Sequence, residues 1–186
     1  IMLKITFLTL FPEAFESFLT NSIIKRAISK EVVEFKVINI RDFTLDKHHR
    51  VDDRPVGGGA GLIMKMQPVV DSLRFASSEK SKKILLSPHG QTFTQEKAKE
   101  LSKEEDIVLI CGHYEGIDSR IDNYIDEKIS LGDFILTGGE LASQVIADSI
   151  TRLLDGAITS ESTEEESFND GLLEYPQYTL PYDYEG

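Results

Sequence analysis

The feature that most constrains this chain is a pattern that recurs three times after residue 82. Each repeat consists of an apolar run, a loop that in each case contains glycine, and a segment with helical spacing. The apolar runs are 83–87, 107–111 and 127–131, and the helical segments are 94–103, 119–124 and 140–154. Strands that alternate with helices pair in parallel and are covered by those helices. We therefore predict an α/β domain with a mainly parallel sheet and helices on both faces.

The amino-terminal part contributes further elements of the same kind. Alternating apolar residues predict strands at 2–9 and 32–40, and helical spacing predicts helices at 13–19, 23–28 and 67–77. Residues 41–61 show no period and are expected to form a long loop, which in compact domains is usually functional or disordered. Its glycine run is either a clamp over a ligand or a flexible surface loop.

The topology also predicts where a ligand binds. In open parallel sheets, ligands lie at the carboxyl ends of the strands. Three loops leave such ends here, after Ser87, Cys111 and Leu131, and ten of the 13 glycines lie between Gly57 and Gly139. Because glycine allows close backbone approach, we expect a side chain added at residue 112 or 139 to block the ligand and leave the fold intact.

Several common sites are disfavoured by the sequence. No G-x-G-x-x-G directly follows a predicted strand, and the P-loop motif is absent, so dinucleotide and P-loop functions are disfavoured. The four histidines have no spacing typical of zinc ligands, and Cys111 is the only cysteine. We predict no metal site and keep a metal-dependent hydrolase only as a remote alternative.

Charge is unevenly distributed along the chain. The net charge is −12, all 20 Lys and Arg lie at or before Arg152, and nine acids follow it. The only basic cluster that the sequence offers consists of Lys47, His48, His49, Arg50 and Arg54. It is either a contact for RNA phosphates or a solvated face of a loop. No apolar run approaches the length of a membrane span, and a lone cysteine suits a reducing compartment, so we expect a cytoplasmic protein.

Four ordered motifs give a more specific indication. They are VDDRPVGGG at 51–59, CGHYEGID at 111–118, GDFILTGGEL at 132–141, and SFNDGLLEYPQY at 167–178. Together these motifs closely resemble the bacterial tRNA (guanine-N1)-methyltransferases. The resemblance implies a SPOUT-type fold with a deep trefoil knot in its carboxyl half, and a homodimer whose active sites are shared between the two chains.

The resemblance also implies a reaction and its cofactor site. It implies transfer of a methyl group from S-adenosylmethionine to N1 of the guanine immediately 3′ of the anticodon, at tRNA position 37. An S-adenosylmethionine- or nucleotide-binding module without turnover is the alternative. The positions that match the family's cofactor site are Leu86, Ser87, Pro88, Gly90, Gly112, Tyr114, Glu115, Leu131, Gly132, Phe134, Leu136, Gly138 and Gly139.

Three residues match the catalytic positions. Glu166 stands where the family carries an aspartate base, Arg152 is the candidate cation for guanine O6, and Glu115 is expected to bind the cofactor and orient the guanine. A requirement for magnesium stays open. We expect a methyltransferase domain over 1–158, and at 159–186 an acidic linker with the start of a tRNA-binding domain that this chain lacks.

Overall fold

The computed structural model describes residues 1–158 and 172–186. The strands are β1 (Leu3–Thr9), β2 (Val33–Asn39), β3 (Asp52–Asp53), β4 (Ile63–Met64), β5 (Ser81–Thr92), β6 (Asp106–Cys111) and β7 (Glu127–Ser130). The helices are α1 (Glu16–Thr20), α2 (Ser22–Ser29), α3 (Met66–Ala76), α4 (Gln95–Leu101) and α5 (Glu140–Thr151). Three 3₁₀ turns cover Pro12–Phe15, Ile40–Phe43 and Ser119–Asn123.

The central sheet has five strands in the order β2-β1-β6-β5-β7, and every neighbouring pair is parallel. Such a sheet is normally covered on both faces, and two apolar cores lie on opposite sides of it. Alternate residues of β6 divide between the cores, with Leu109 in one and Ile110 in the other. Helix α5 packs into the first core and α3 into the second. The predicted α/β fold with helices on both faces is therefore confirmed.

Local signals also locate two helix starts. Pro12 opens the first turn after β1, and that turn is 3₁₀ before it continues as α1. Thr94 caps α4, because its Oγ1 accepts a hydrogen bond from the Lys97 backbone N–H at 3.2 Å. The helix predicted at 119–124 is instead a 3₁₀ turn.

Two segments differ from the sequence prediction. Strand β5 does not end at Ser87 but continues to Thr92, and it pairs with β7 in two stretches separated by a register shift between Leu86 and Gln91. Within the predicted loop 41–61, β3 forms, and it pairs antiparallel with β4 to enclose the glycine run in a small hairpin. Both differences arise from pairing with distant residues, which local composition does not report.

After α5 the described chain has little regular structure. Residues 172–186 contain no helix or strand and are exposed. Residues 159–171 lie outside the described part, so the predicted domain boundary after 158 and the predicted base Glu166 fall there. Among the described helices, none combines the length and apolar character needed to cross a membrane. The trefoil knot stays a prediction.

Candidate active site

A cleft of about 400 Å³ lies at the carboxyl ends of β6 and β7, beside the register shift in β5. This volume is within the range of about 300–1,000 Å³ that small-molecule and cofactor sites occupy. Three chain segments line it: the loops after β6 and β7, as the strand-end argument predicts, and residues 85–89, which lie within β5 and not after its end. Its lining includes eleven of the predicted cofactor residues: Leu86, Ser87, Pro88, Gly112, Tyr114, Glu115, Leu131, Phe134, Leu136, Gly138 and Gly139.

The other two predicted residues do not line this cleft. A Cβ built at Gly90 would lie 2.5 Å from the backbone nitrogen of Ile129, so this glycine serves the close approach of β5 and β7. Gly132 has a φ of +149°, and a Cβ there would lie 3.1 Å from the Phe134 ring. Both positions thus have a backbone reason to be glycine. The cleft also contains His113 and Thr137, which lie within the motifs but are not among the predicted cofactor residues.

Backbone hydrogen bonds fasten the cleft loops together. The Gly139 N–H donates to the Gly112 carbonyl at 2.9 Å, which joins the loop before α5 to the loop after β6. The Glu115 N–H donates to the Leu62 carbonyl at 3.1 Å, and the Met64 N–H donates to the Gly116 carbonyl at 2.9 Å. The β3–β4 hairpin is therefore attached to the cofactor loop through its second strand.

Gly139 and Gly112 differ in what a side chain would meet. A Cβ at Gly139 would lie 2.8 Å from Cys111 Cα and 3.2 Å from the Gly112 nitrogen, both backbone atoms. A Cβ at Gly112 would meet only the Ile117 side chain, at 3.7 Å. The expectation that a side chain at residue 139 leaves the fold intact is therefore wrong, because the clash is with the protein's own backbone. Of these two positions, only Gly112 has room for a side chain.

Polar groups are buried beneath the cleft. Glu140 is only 8% exposed, and its Oε1 accepts a hydrogen bond from Thr9 Oγ1 at 2.8 Å. The Cys111 thiol donates to Ser143 Oγ at 3.3 Å, and burial is the main reason that the pKa of this thiol is raised. Cys111 is consequently a packed thiol and not a nucleophile. Nδ1 of His113 is buried and has no hydrogen-bond partner within the described part of the chain.

Tyr114 stands at the rim of the cleft in a left-handed backbone conformation, with φ of 56°. Burial and a hydrogen bond with Asp52 raise the pKa of its phenol, and a hydrogen bond from Arg41 opposes this shift. The phenol hydroxyl of Tyr114 therefore stays protonated and neutral at physiological pH. It links the cofactor loop to the β3–β4 hairpin through Asp52.

The structure separates Glu115 from Arg152, two of the three predicted catalytic residues. Glu115 lies in the cleft with an exposed side chain. Arg152 follows the last turn of α5, and twelve residues at a rise of 1.5 Å put it about 18 Å along the helix from the cleft end. It interacts with Asp148, whose pKa is raised mainly by burial. Within one chain, Arg152 therefore does not reach the cleft that Glu115 lines.

The predicted RNA contacts lie on one exposed loop. Asp46 accepts three hydrogen bonds from Arg50, including two from its guanidinium at 3.1 Å, and these hold the pKa of this carboxyl well below its usual range. Lys47, His48 and Arg54 are exposed beside this pair, and His49 contacts Thr44 through Nδ1. In residues 1–158 and 172–186, no three His, Cys, Asp or Glu side chains are grouped to hold a metal ion.

The parallel sheet and the glycine-lined cleft at its strand ends define a class, namely cofactor-dependent α/β enzymes. Sequence comparison is more specific. The model of the family described as "tRNA (Guanine-1)-methyltransferase TrmD" matches residues 3–186. The chain belongs to the tRNA (guanine-N1)-methyltransferase family.

Individual relatives agree with this assignment. The chain is 59% identical to a tRNA (guanine-N(1)-)-methyltransferase of Clostridium botulinum strain Hall, over 99% of this chain and 77% of that relative. It is 56% identical to the corresponding enzyme of Clostridium perfringens strain 13, over 99% of this chain and 78% of the relative. The crystal structure of the tRNA (m1G37) methyltransferase from Aquifex aeolicus superposes with a TM-score of 0.85 at 34% identity, covering 100% of this chain and 79% of that one. The SPOUT-type α/β assignment is thereby confirmed.

Proposed function

We propose that this protein transfers a methyl group from S-adenosylmethionine to N1 of guanine 37 in tRNA, the base immediately 3′ of the anticodon. One observation carries the proposal. The loops after β6 and β7, which hold two of the family's motifs, meet residues 85–89 of β5 around a single cleft of cofactor size, and a fold relative is a tRNA (m1G37) methyltransferase. A tRNA substrate and one buried cysteine favour a cytoplasmic location.

The cleft has the composition that the cofactor needs. Leu86, Leu131 and Leu136 offer apolar surface to an adenine ring, and the glycine backbone at 112 and 138 admits close approach. His113 provides a buried ring nitrogen that has no partner in the described chain and can meet a polar group. When bound, S-adenosylmethionine supplies a methyl group on a positively charged sulfur.

The remaining chemistry falls to the protein's own side chains. Guanine N1 carries a proton and is a weak nucleophile, so a base must remove that proton as the nitrogen attacks. We assign this role to Glu166. The negative charge then spreads to O6, where a cation stabilises the transition state more than the ground state, and Arg152 is suited to this. Glu115, which lies in the cleft, orients the guanine.

A second copy of the chain resolves the separation of these groups. Arg152 lies about 18 Å along α5 from the cleft end, so the cation at the guanine would come from another chain. Leu141 and Val145 occupy one side of α5 and are 62% and 47% exposed, which is unusual for a helix that packs on a sheet. A symmetric homodimer would cover this face, and two-fold dimers are the commonest oligomers.

Complementation between two defective chains tests the shared site. Gly112→Val disables the cleft, and Arg152→Ala removes the cation. Each variant alone should be inactive, whereas coexpression should restore about a quarter of wild-type activity, because half of the dimers are mixed and each has one intact site. No restoration, or a mass of 20.9 kDa by light scattering, would contradict the shared site.

Methyl transfer to unmodified tRNA tests the function itself. We expect radiolabelled methyl groups to appear in a tRNA transcript with guanine at position 37 and not in one with adenine there. Cofactor binding by calorimetry without any transfer would favour the binding module instead. A parallel assay with EDTA decides whether magnesium takes part.

A further inference from the structure

Helix α2 presents a basic face. Four exposed residues of the helix and the residue that caps its carboxyl end follow the spacing of one helix side and line a shallow groove: Ser22, Lys25, Arg26, Ser29 and the C-cap Lys30. The opposite side of the helix buries Ile24 and Ala27, and Ala27 belongs to the core that contains α5. The orientation of α2 is therefore set by the core, and the groove necessarily faces outward.

Within the described part of the chain, the cations of this face form no ion pair with a neighbouring acid. Lys36, Arg50, Lys80, Lys97, Arg120 and Lys128 each form an ion pair with a carboxylate. In the described ranges 1–158 and 172–186, no carboxylate pairs with Lys25, Arg26 or Lys30. In a chain of net charge −12, this is a local excess of positive charge.

The face also lies at the end of the domain where Arg152 is found. The Lys30 ammonium donates to the Gly156 carbonyl at 3.1 Å, and Gly156 follows Arg152 by four residues. If Arg152 serves the cleft of a second chain, the α2 face lies at the approach to that same cleft. An RNA strand that enters it would meet these cations.

We propose that this face, which we call the α2 basic face (Ser22, Lys25, Arg26, Ser29 and Lys30), binds the phosphate backbone of the tRNA. The proposal rests on the proposed function, since it takes tRNA as the substrate. Charge complementarity selects this partner, because three cations in a shallow groove match successive phosphates. It also supplements the loop at 47–54, where Asp46 already neutralises Arg50.

Salt-dependent binding tests this directly. The test variant combines Lys25→Gln, Arg26→Gln and Lys30→Gln. These changes remove the three charges but keep helix propensity, and glutamine at residue 30 keeps a donor for the Gly156 carbonyl. Each phosphate contact contributes about 0.7–0.9 to the magnitude of the slope of log affinity against log salt concentration. The triple variant removes three contacts, so the magnitude of its slope should be smaller than that of the wild type by about 2. Its affinity for unmodified tRNA at low salt should fall at least tenfold, with S-adenosylmethionine affinity unchanged.

A matched control carries the same change of charge elsewhere. Lys82→Gln, Lys99→Gln and Lys103→Gln combined should retain the wild-type slope, since these lysines lie on β5, on α4 and just after α4. Equal salt slopes for the wild type and the α2 variant would overturn the proposal. Tighter tRNA binding by the variant would also overturn it, because it would mean that the face binds an acidic segment of protein instead. Methyl transfer by wild type is measured in parallel, so that loss of the proposed function is seen separately from loss of this surface.

Discussion

Adding one methyl group at Gly139 should destabilise the fold. A Cβ there would lie 2.8 Å from Cys111 Cα and 3.2 Å from Leu86 Cβ, whereas carbon atoms prefer about 3.5–4.0 Å. The first turn of α5 and the end of β6 must separate to relieve this contact. Overpacking of this kind costs about 1–3 kcal/mol. For a chain of 186 residues, 1 kcal/mol corresponds to about 2–4 °C in Tm, so we expect Gly139→Ala to melt about 2–12 °C below wild type.

Gly112→Ala is the matched control. Its Cβ would meet Ile117 Cγ1 at 3.7 Å, an ordinary contact, and the residue is not in the left-handed region. The free energy of unfolding should therefore stay within about 1 kcal/mol of wild type. Because Gly112 lines the cleft, S-adenosylmethionine affinity should fall by about tenfold.

Thermal unfolding followed by circular dichroism, together with calorimetry of cofactor binding, separates the two effects. If Gly139→Ala melts with the wild type, the backbone-packing argument is wrong. If Gly112→Ala binds the cofactor as the wild type does, the cleft is not its site.

Three further predictions concern single side chains. Glu166→Gln and Arg152→Ala should each lower turnover by about a hundredfold or more, with S-adenosylmethionine affinity little changed. If Glu166→Gln is fully active, Glu166 is not the base, and Asp170 becomes the candidate. Arg120 lowers the pKa of Asp118 to about 2, so the ion pair stabilises the fold above about pH 4, and this stabilisation is lost as the pH falls towards 2. In Arg120→Gln, the melting temperature should therefore fall less between about pH 4 and pH 2 than it does in the wild type. The buried Cys111 thiol should react with a thiol reagent only at the rate of unfolding, and fast labelling of folded protein would refute its burial.

Local sequence was enough to predict the sheet and the position of the cleft. Alternating apolar residues in β1 and apolar runs in β6 and β7 place these strands within a residue or two, because a half-buried strand has a period of two and a strand buried on both faces is apolar throughout. Parallel strands bring their carboxyl ends to one edge, so the loops after Cys111 and Leu131 meet without further information. The motif at 132–141 added the cofactor positions.

Other features depended on residues far apart in the chain. The continuation of β5 through Gly90 follows from pairing with β7, which begins 37 residues later. Composition could not show that residue 139 must be glycine because of its contact with Cys111, or that Asp46 neutralises Arg50.

The division has a physical reason. The sequence by itself determined which segments are strands and helices and which loops meet, because propensity, periodicity and chain direction act over a few residues. Only the tertiary structure decided why individual glycines are needed, which charges are neutralised and that Arg152 lies away from its own cleft. Close contacts and ion pairs depend on distances of a few ångströms between segments whose relative placement is set by the whole packed core.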